Sequence, residues 1–186
     1  MTKTELRQIL RSRRAAFVAA MDGAQAHAHL AALTDRVMRE MGGAASLSAY
    51  LPVGPEIDPS PILTAASAAG LTVALPYVSS RDVPMRFLAW RPGDLLRAGP
   101  FGLLQPDPAT APEIAPEVIL TPLVGFDRAM ARLGQGAGYY DRAFAALPDA
   151  RRIGLAWSAQ EADALPVDPW DVPLHAVATE REWITA

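Results

Sequence analysis

The stretch Arg132-Leu133-Gly134-Gln135-Gly136-Ala137-Gly138-Tyr139-Tyr140-Asp141-Arg142 gathers several kinds of chemistry in one short run. Glycines at every second position let the backbone turn its N–H groups toward an anion and let a ligand come close. Tyr139 and Tyr140 bring aromatic faces, Asp141 a carboxylate, and Arg132 and Arg142 fixed positive charge. No Gly-Lys-Ser/Thr follows, so this is not a Walker A loop, and the glycine spacing is not the dinucleotide fingerprint. The glycines alone fit a tight strand-to-helix turn as well as they fit a phosphate cradle. The flanking residues favour a site, because a plain turn requires none of them.

A second set lies near the amino terminus. Lys3, Arg7, Arg11 and Arg14 are spaced so that, at about 100° per residue, they share a helical stripe about 80° wide. Such a stripe is ordinarily a solvated face. Lys3, however, is the one lysine among 17 basic residues, and a compact ammonium in a chain that otherwise uses arginine points toward phosphate. Glu56, in Gly-Pro-Glu-Ile-Asp-Pro, follows a strand candidate; it fits a ligand-facing carboxylate or a helix cap equally well. Asp171, amid prolines and Trp170, reads from its surroundings as a turn aspartate. His27 and His29 are two apart and face different ways on a helix, and His175 reads as packed in a strand. There is no Gly-x-Ser-x-Gly elbow.

These residues need a scaffold. Apolar residues Leu6, Ile9, Leu10 and Phe17 predict a helix over residues 2–20, and a second helix runs over 24–41 to the Gly-Gly at 42–43. Strands are expected at 46–52, 71–76, 85–90, 117–126, 152–157 and 175–180, with helices at 60–70 and 139–147. Arg-Pro-Gly-Asp at 91–94 is a turn, and the Pro- and Gly-rich 98–117 a loop region. Alternating strands and helices imply one α/β domain over residues 1–186, with a mainly parallel, Rossmann-like sheet flanked by helices. Ligands of such sheets bind at the carboxyl ends of the strands, where helix N-termini suit phosphate.

The 186 residues suffice for a substantial core, and a net charge of −3 with pI near 5.6 gives no global attraction to nucleic acid or anionic membrane. With no cysteine, disulfides, thiolate nucleophiles and cysteine metal sites are excluded, which fits a cytoplasmic setting. No apolar run approaches the roughly 20 residues of a membrane span.

Residues 123–147 strongly resemble the signature of the 5-formyltetrahydrofolate cyclo-ligase (5,10-methenyltetrahydrofolate synthetase) family: an apolar strand, Phe-Asp, then Arg-Leu-Gly-x-Gly-x-Gly-Tyr-Tyr-Asp and a helix. The Lys3/Arg7 pair, Pro-Glu-Ile-Asp at 55–58, Phe-Gly-Leu-Leu-Gln-Pro at 101–106 and residues 172–180 match in order, so the likeness spans nearly the whole chain. It implies conversion of 5-formyltetrahydrofolate to 5,10-methenyltetrahydrofolate with ATP and Mg2+, by a cytoplasmic monomer without nucleic-acid or membrane partners. A folate- and nucleotide-binding module without turnover is the alternative. By the same resemblance, Lys3, Arg7, Arg132, Leu133, Gly134, Gln135, Gly136, Ala137, Gly138, Tyr139 and Tyr140 would hold ATP. Leu51, Glu56, Phe101 and the stretch Gln135–Tyr139 would meet the folate, and Asp141 and Asp171 would serve the metal.

Overall fold

Two capped helices open the chain. In α1 (Lys3–Ala19) the Thr2 hydroxyl accepts from the Glu5 N–H while Glu5 accepts from the Thr2 N–H; in α2 (Gly23–Glu40) Asp22 and Gln25 make the same reciprocal pair. The computed structural model describes residues 1–186, except for the side chain of Phe101, so the expectation for that residue lies outside what is described. The chain continues through β1 (Ser46–Ser48), α3 (Ser60–Ala68), β2 (Thr72–Tyr77), β3 (Arg86–Ala89), β4 (Arg97–Ala98), β5 (Leu104–Gln105) and β6 (Glu113–Ile114). It then forms β7 (Val118–Pro122), β8 (Gly125–Phe126), β9 (Arg132–Leu133), α4 (Tyr139–Ala146), β10 (Arg151–Leu155), β11 (Ala176–Ala178) and β12 (Trp183–Ile184).

The main sheet has the order β12-β11-β10-β7-β1-β2-β3-β6. Its centre, from β11 to β2, is parallel, and β12, β3 and β6 add antiparallel edges. The expected α/β class with a mainly parallel sheet is what the chain adopts. Central β7 reads Val-Ile-Leu-Thr-Pro and is buried from Val118 to Thr121, as a strand covered on both faces must be. On one face Leu47, Leu75, Leu120 and Ile153 pack with Leu33 and Val37 of α2 and Ile62 and Leu63 of α3. On the other, Ala74, Ile119 and Val177 pack with Phe144 of α4.

Four expectations are corrected. The single strand over 117–126 is two elements: proline at 122 ends β7, and the chain turns outward into a β8–β9 hairpin. Asp127 organises that turn, its carboxylate accepting from the N–H groups of Ala129, Ala131 and Leu165. The glycine loop therefore follows a hairpin arm, not a strand of the main sheet. The 98–117 loop contains the short strands β5 and β6, and β12 follows the last expected strand. His175 is exposed one residue before β11, where it accepts from the Arg152 N–H, and is not packed inside a strand. Ile9 is 40% exposed although Leu6 and Leu10 are buried. On the helical wheel Leu6, Phe17 and Leu10 lie within about 40° of one another, whereas Ile9 falls about 60° outside that seam.

Candidate active site

A cavity of about 890 Å³ opens at the carboxyl ends of the central strands, lined by Tyr50 and Leu51 after β1, Pro76 and Val78 at the end of β2, and Pro122 of β7. Every residue assigned from the sequence, Phe101 aside, lines it: Lys3, Arg7, Leu51, Glu56, Asp171 and the run from Arg132 to Asp141. A depression of about 980 Å³ around Thr72, Trp90 and Asp107 shares no residue with it.

Helix α1 brings these parts together. Its apolar seam, Leu6 and Leu10, packs with Val124 and Leu133. That packing turns Lys3 and Arg7 of the adjoining stripe toward the cavity, leaves Arg11 exposed at its rim and buries Arg14 beneath it. The Lys3 ammonium reaches Asp168 and Asp171, each at 2.6 Å. Arg7 Nε donates to the Gly134 carbonyl at 2.9 Å, and Arg11 donates to the Gln135 side chain. Arg14 Nη1 stands 3.6 Å from Glu56 Oε1. At about 1.5 Å per residue, the stripe runs roughly 16 Å from the Asp168/Asp171 end to the Glu56 end.

The glycine loop between those ends has mixed backbone geometry. Gly136 has φ +106° and Gly138, the N-cap of α4, has φ +67°, both in territory that suits glycine. Ala137 has no positive φ, so its side chain is accommodated without backbone strain. A Cβ on Gly134 would lie 2.6 Å from Arg132 Nη1, so this glycine leaves room for a guanidinium instead of permitting an unusual φ. The Arg132 side chain is 5% exposed; it donates to Asp141 at 2.6 Å and lies over the Phe144 ring at 5.5 Å. Asp141 also accepts from the Val172 N–H at 3.4 Å, which brings it next to the Asp171 loop.

Glu56 anchors the opposite end. Its side chain is 7% exposed, with Oε1 accepting from Gln135 at 3.0 Å and Oε2 from the Val53 N–H at 3.0 Å. A carboxylate has about four acceptor positions, so roughly two remain for a ligand. Burial, followed by the charge of Glu56, raises the Tyr140 phenol above its ordinary value and keeps it protonated. Among the described residues, Arg14 Nε, Arg132 Nε and the Tyr139 hydroxyl are buried without a hydrogen-bond partner. Such atoms are uncommon in folded proteins; Arg132 and Tyr139 line the cavity, where a ligand can complete the network, whereas Arg14 lies outside its lining.

Burial works against the Lys3 ammonium, but hydrogen bonds to Asp168 and Asp171 more than offset it and raise its pKa. For Asp171 burial pushes upward, while the Lys3 and Asp168 N–H hydrogen bonds pull the net value below that of an ordinary aspartate. The raised ammonium contributes stability that is fully present below the unfolded lysine value. The lowered carboxylate contributes stability present above the unfolded aspartate value. The clamp is therefore intact between about pH 4 and about pH 10. Thermal melts of Lys3→Met should show a small, constant deficit across that range, fading in acid as Asp171 protonates. A deficit unchanged at pH 2 would contradict this ion-pair origin.

Sequence reasoning missed Asp168, the second partner of Lys3, and the link from Arg14 to Glu56. Asp168 opens the same Asp-Pro-Trp-Asp stretch that Asp171 closes, and Arg14 was visible only as the end of a stripe.

The chain is similar to known proteins over most of its length. The sequence model of the 5-formyltetrahydrofolate cyclo-ligase family matches residues 1–180. A Mycolicibacterium smegmatis protein named 5-formyltetrahydrofolate cyclo-ligase is 35% identical over 150 residues, covering 76% of this chain and 76% of that protein. An Escherichia coli K12 protein of the same name is 30% identical over 176 residues, covering 82% and 96%. The NMR structure of Aquifex aeolicus 5,10-methenyltetrahydrofolate synthetase has a TM-score of 0.81 at 25% identity, covering 100% of this chain and 93% of that one. With the family signature on the cavity wall and the match running almost end to end, the chain belongs to the 5-formyltetrahydrofolate cyclo-ligase family.

Proposed function

We propose that this chain is an ATP- and Mg2+-dependent ligase that closes 5-formyltetrahydrofolate to 5,10-methenyltetrahydrofolate, acting as a monomer. The observation that carries this reading is the basic stripe of α1, which joins an aspartate pair, a glycine loop and a buried glutamate along one cavity. One chain thus supplies both a nucleotide end and a folate end.

A formamide carbon is a weak electrophile, and its oxygen leaves poorly. Attack of the formyl oxygen on the γ-phosphorus breaks the bond to ADP and turns that oxygen into part of a phosphate leaving group. Nitrogen 10 then attacks the formyl carbon, the carbon–oxygen bond breaks, and phosphate departs. The nitrogen 10 proton passes to phosphate or solvent, and no electrons enter or leave. No protein nucleophile is required. The protein's work is positioning and charge stabilisation.

Lys3, Arg7 and Arg132, with the backbone from Leu133 to Tyr140, hold the phosphates. These cations are already hydrogen-bonded or ion-paired within the chain, so they are oriented before nucleotide arrives. Leu51 and Glu56 receive the folate, and Glu56 accepts N–H groups from the pterin edge. The stretch Gln135–Tyr139 lies between the two substrates.

Asp141 and Asp171 fit Mg2+. They are hard oxygen donors on one cavity, and the Asp141 carboxylate touches the residue next to Asp171. Among the described residues no cluster of three or more His, Cys, Asp or Glu could hold a metal. This suits an ion bound through one or two carboxylates plus substrate phosphates. When bound, it would supply neutralisation of phosphate charge.

Purified protein with ATP, Mg2+ and 5-formyltetrahydrofolate should develop the ultraviolet absorbance of the methenyl product, with one ADP formed per ring closed. Folded protein that binds both ligands without any absorbance change would instead be a binding module.

A further inference from the structure

Arg14 ends the basic stripe but stands outside the cavity lining. It is 5% exposed. Its Nη1 reaches the Leu123 carbonyl at 3.4 Å, its Nε has no partner, and its ion pair with Glu56 is 3.6 Å. Burying a guanidinium is costly unless an opposite charge compensates, and here that charge is Glu56. The reverse also holds. Glu56 is a nearly buried carboxylate in a cavity that must admit anionic ligands, and Arg14 balances it from behind without occupying ligand space. Val53 and Gln135 hold the two Glu56 oxygens, and Gln135 is itself tied to Arg11. The carboxylate is thus fixed from several sides, with Arg14 as the only cation in contact with it among the described residues.

We propose that Arg14 is a positioning residue for the folate end: it holds Glu56 in register for the donor edge of the substrate and has no direct part at the nucleotide end. The proposal rests on the assignment of Glu56 to folate. Removing one charge-supported contact of this kind should cost roughly tenfold in affinity.

The test is a double-mutant cycle read through both Michaelis constants. Arg14→Met should raise KM for 5-formyltetrahydrofolate about tenfold and change KM for ATP by less than about twofold. Arg14→Lys should recover part of the loss, because a cation returns without the planar fork. In a Glu56→Gln background, Arg14→Met should have no further effect on folate KM. If Arg14→Met does not fold, Arg14→Lys carries the same test, as a smaller, folate-selective rise that disappears in Glu56→Gln. Equal rises in both KM values, or additive effects in the double variant, would overturn the proposal while leaving the role of Glu56 intact. An unchanged folate KM in Glu56→Gln alone would remove that role and the proposal with it.

Discussion

Asp141→Asn is expected to lower ATP-dependent turnover by about a hundredfold or more while changing folate binding by less than about twofold. The substitution is almost isosteric. The asparagine oxygen can still accept from Arg132 and from the Val172 N–H, the two hydrogen bonds that Asp141 makes now. What disappears is the negative charge, and with it a hard donor suited to Mg2+. Arg132 is buried over Phe144 and has its counter-charge in Asp141, so the ligand-free protein should also lose some stability. Bound nucleotide would restore part of it by placing phosphate near the guanidinium. Steady-state turnover and a separate folate titration measure the two effects. Wild-type turnover in this variant would take Asp141 out of the metal role.

Gly136→Ala and Ala137→Gly should have very unequal effects although they exchange the same two residue types one position apart. A Cβ on Gly136 would meet only the Arg7 guanidinium, at an ordinary 3.6 Å. Space is therefore not the constraint. The constraint is φ +106°, where an L-residue is strained by about 1–2 kcal/mol or more. Relief of that strain would move the loop that is assigned to phosphate, so KM for ATP should rise about tenfold. The loop at 135–137 is exposed, so the melting temperature should hardly change. Ala137 has no positive φ, and glycine there should alter KM by less than about twofold. Two variants with the same ATP KM would show that backbone conformation at 136 is not what organises the loop.

Much of this was legible in the sequence because it is local. The apolar seam of α1, the buried run of β7 and the glycine punctuation all act within a few residues. The candidate site was legible where composition was unusual: one lysine, alternating glycines, paired tyrosines. The family resemblance supplied what local chemistry left open, namely which acids would serve metal and which would serve folate. The unread parts depend on distant contacts. Nothing near Arg14 announces a carboxylate 42 positions away, and nothing near Asp168 announces Lys3. The β8–β9 hairpin was hidden because its apolar residues continue those of β7; only Pro122 marks the break. The small strands β4, β5 and β6 are pairings of two residues each, too short for periodicity to register.

The grip of Lys3 on Asp168 and Asp171 joins residues separated by 165 and 168 positions. At roughly 5–20 residues per second, a ribosome would need roughly 8–33 s to make the acids after making the base. Through that interval Lys3 has neither of its ionic partners, although the β8–β9 hairpin against which Leu6 and Leu10 pack is complete once Leu133 is made. The Lys3/Asp168/Asp171 end of the cavity is consequently one of the last parts of the molecule that can take shape. A nascent chain lacking residues beyond 167 could form β1, β2, β7 and β10 and still have no Lys3 clamp, so closure of that clamp reports that synthesis has passed the Asp168–Asp171 loop.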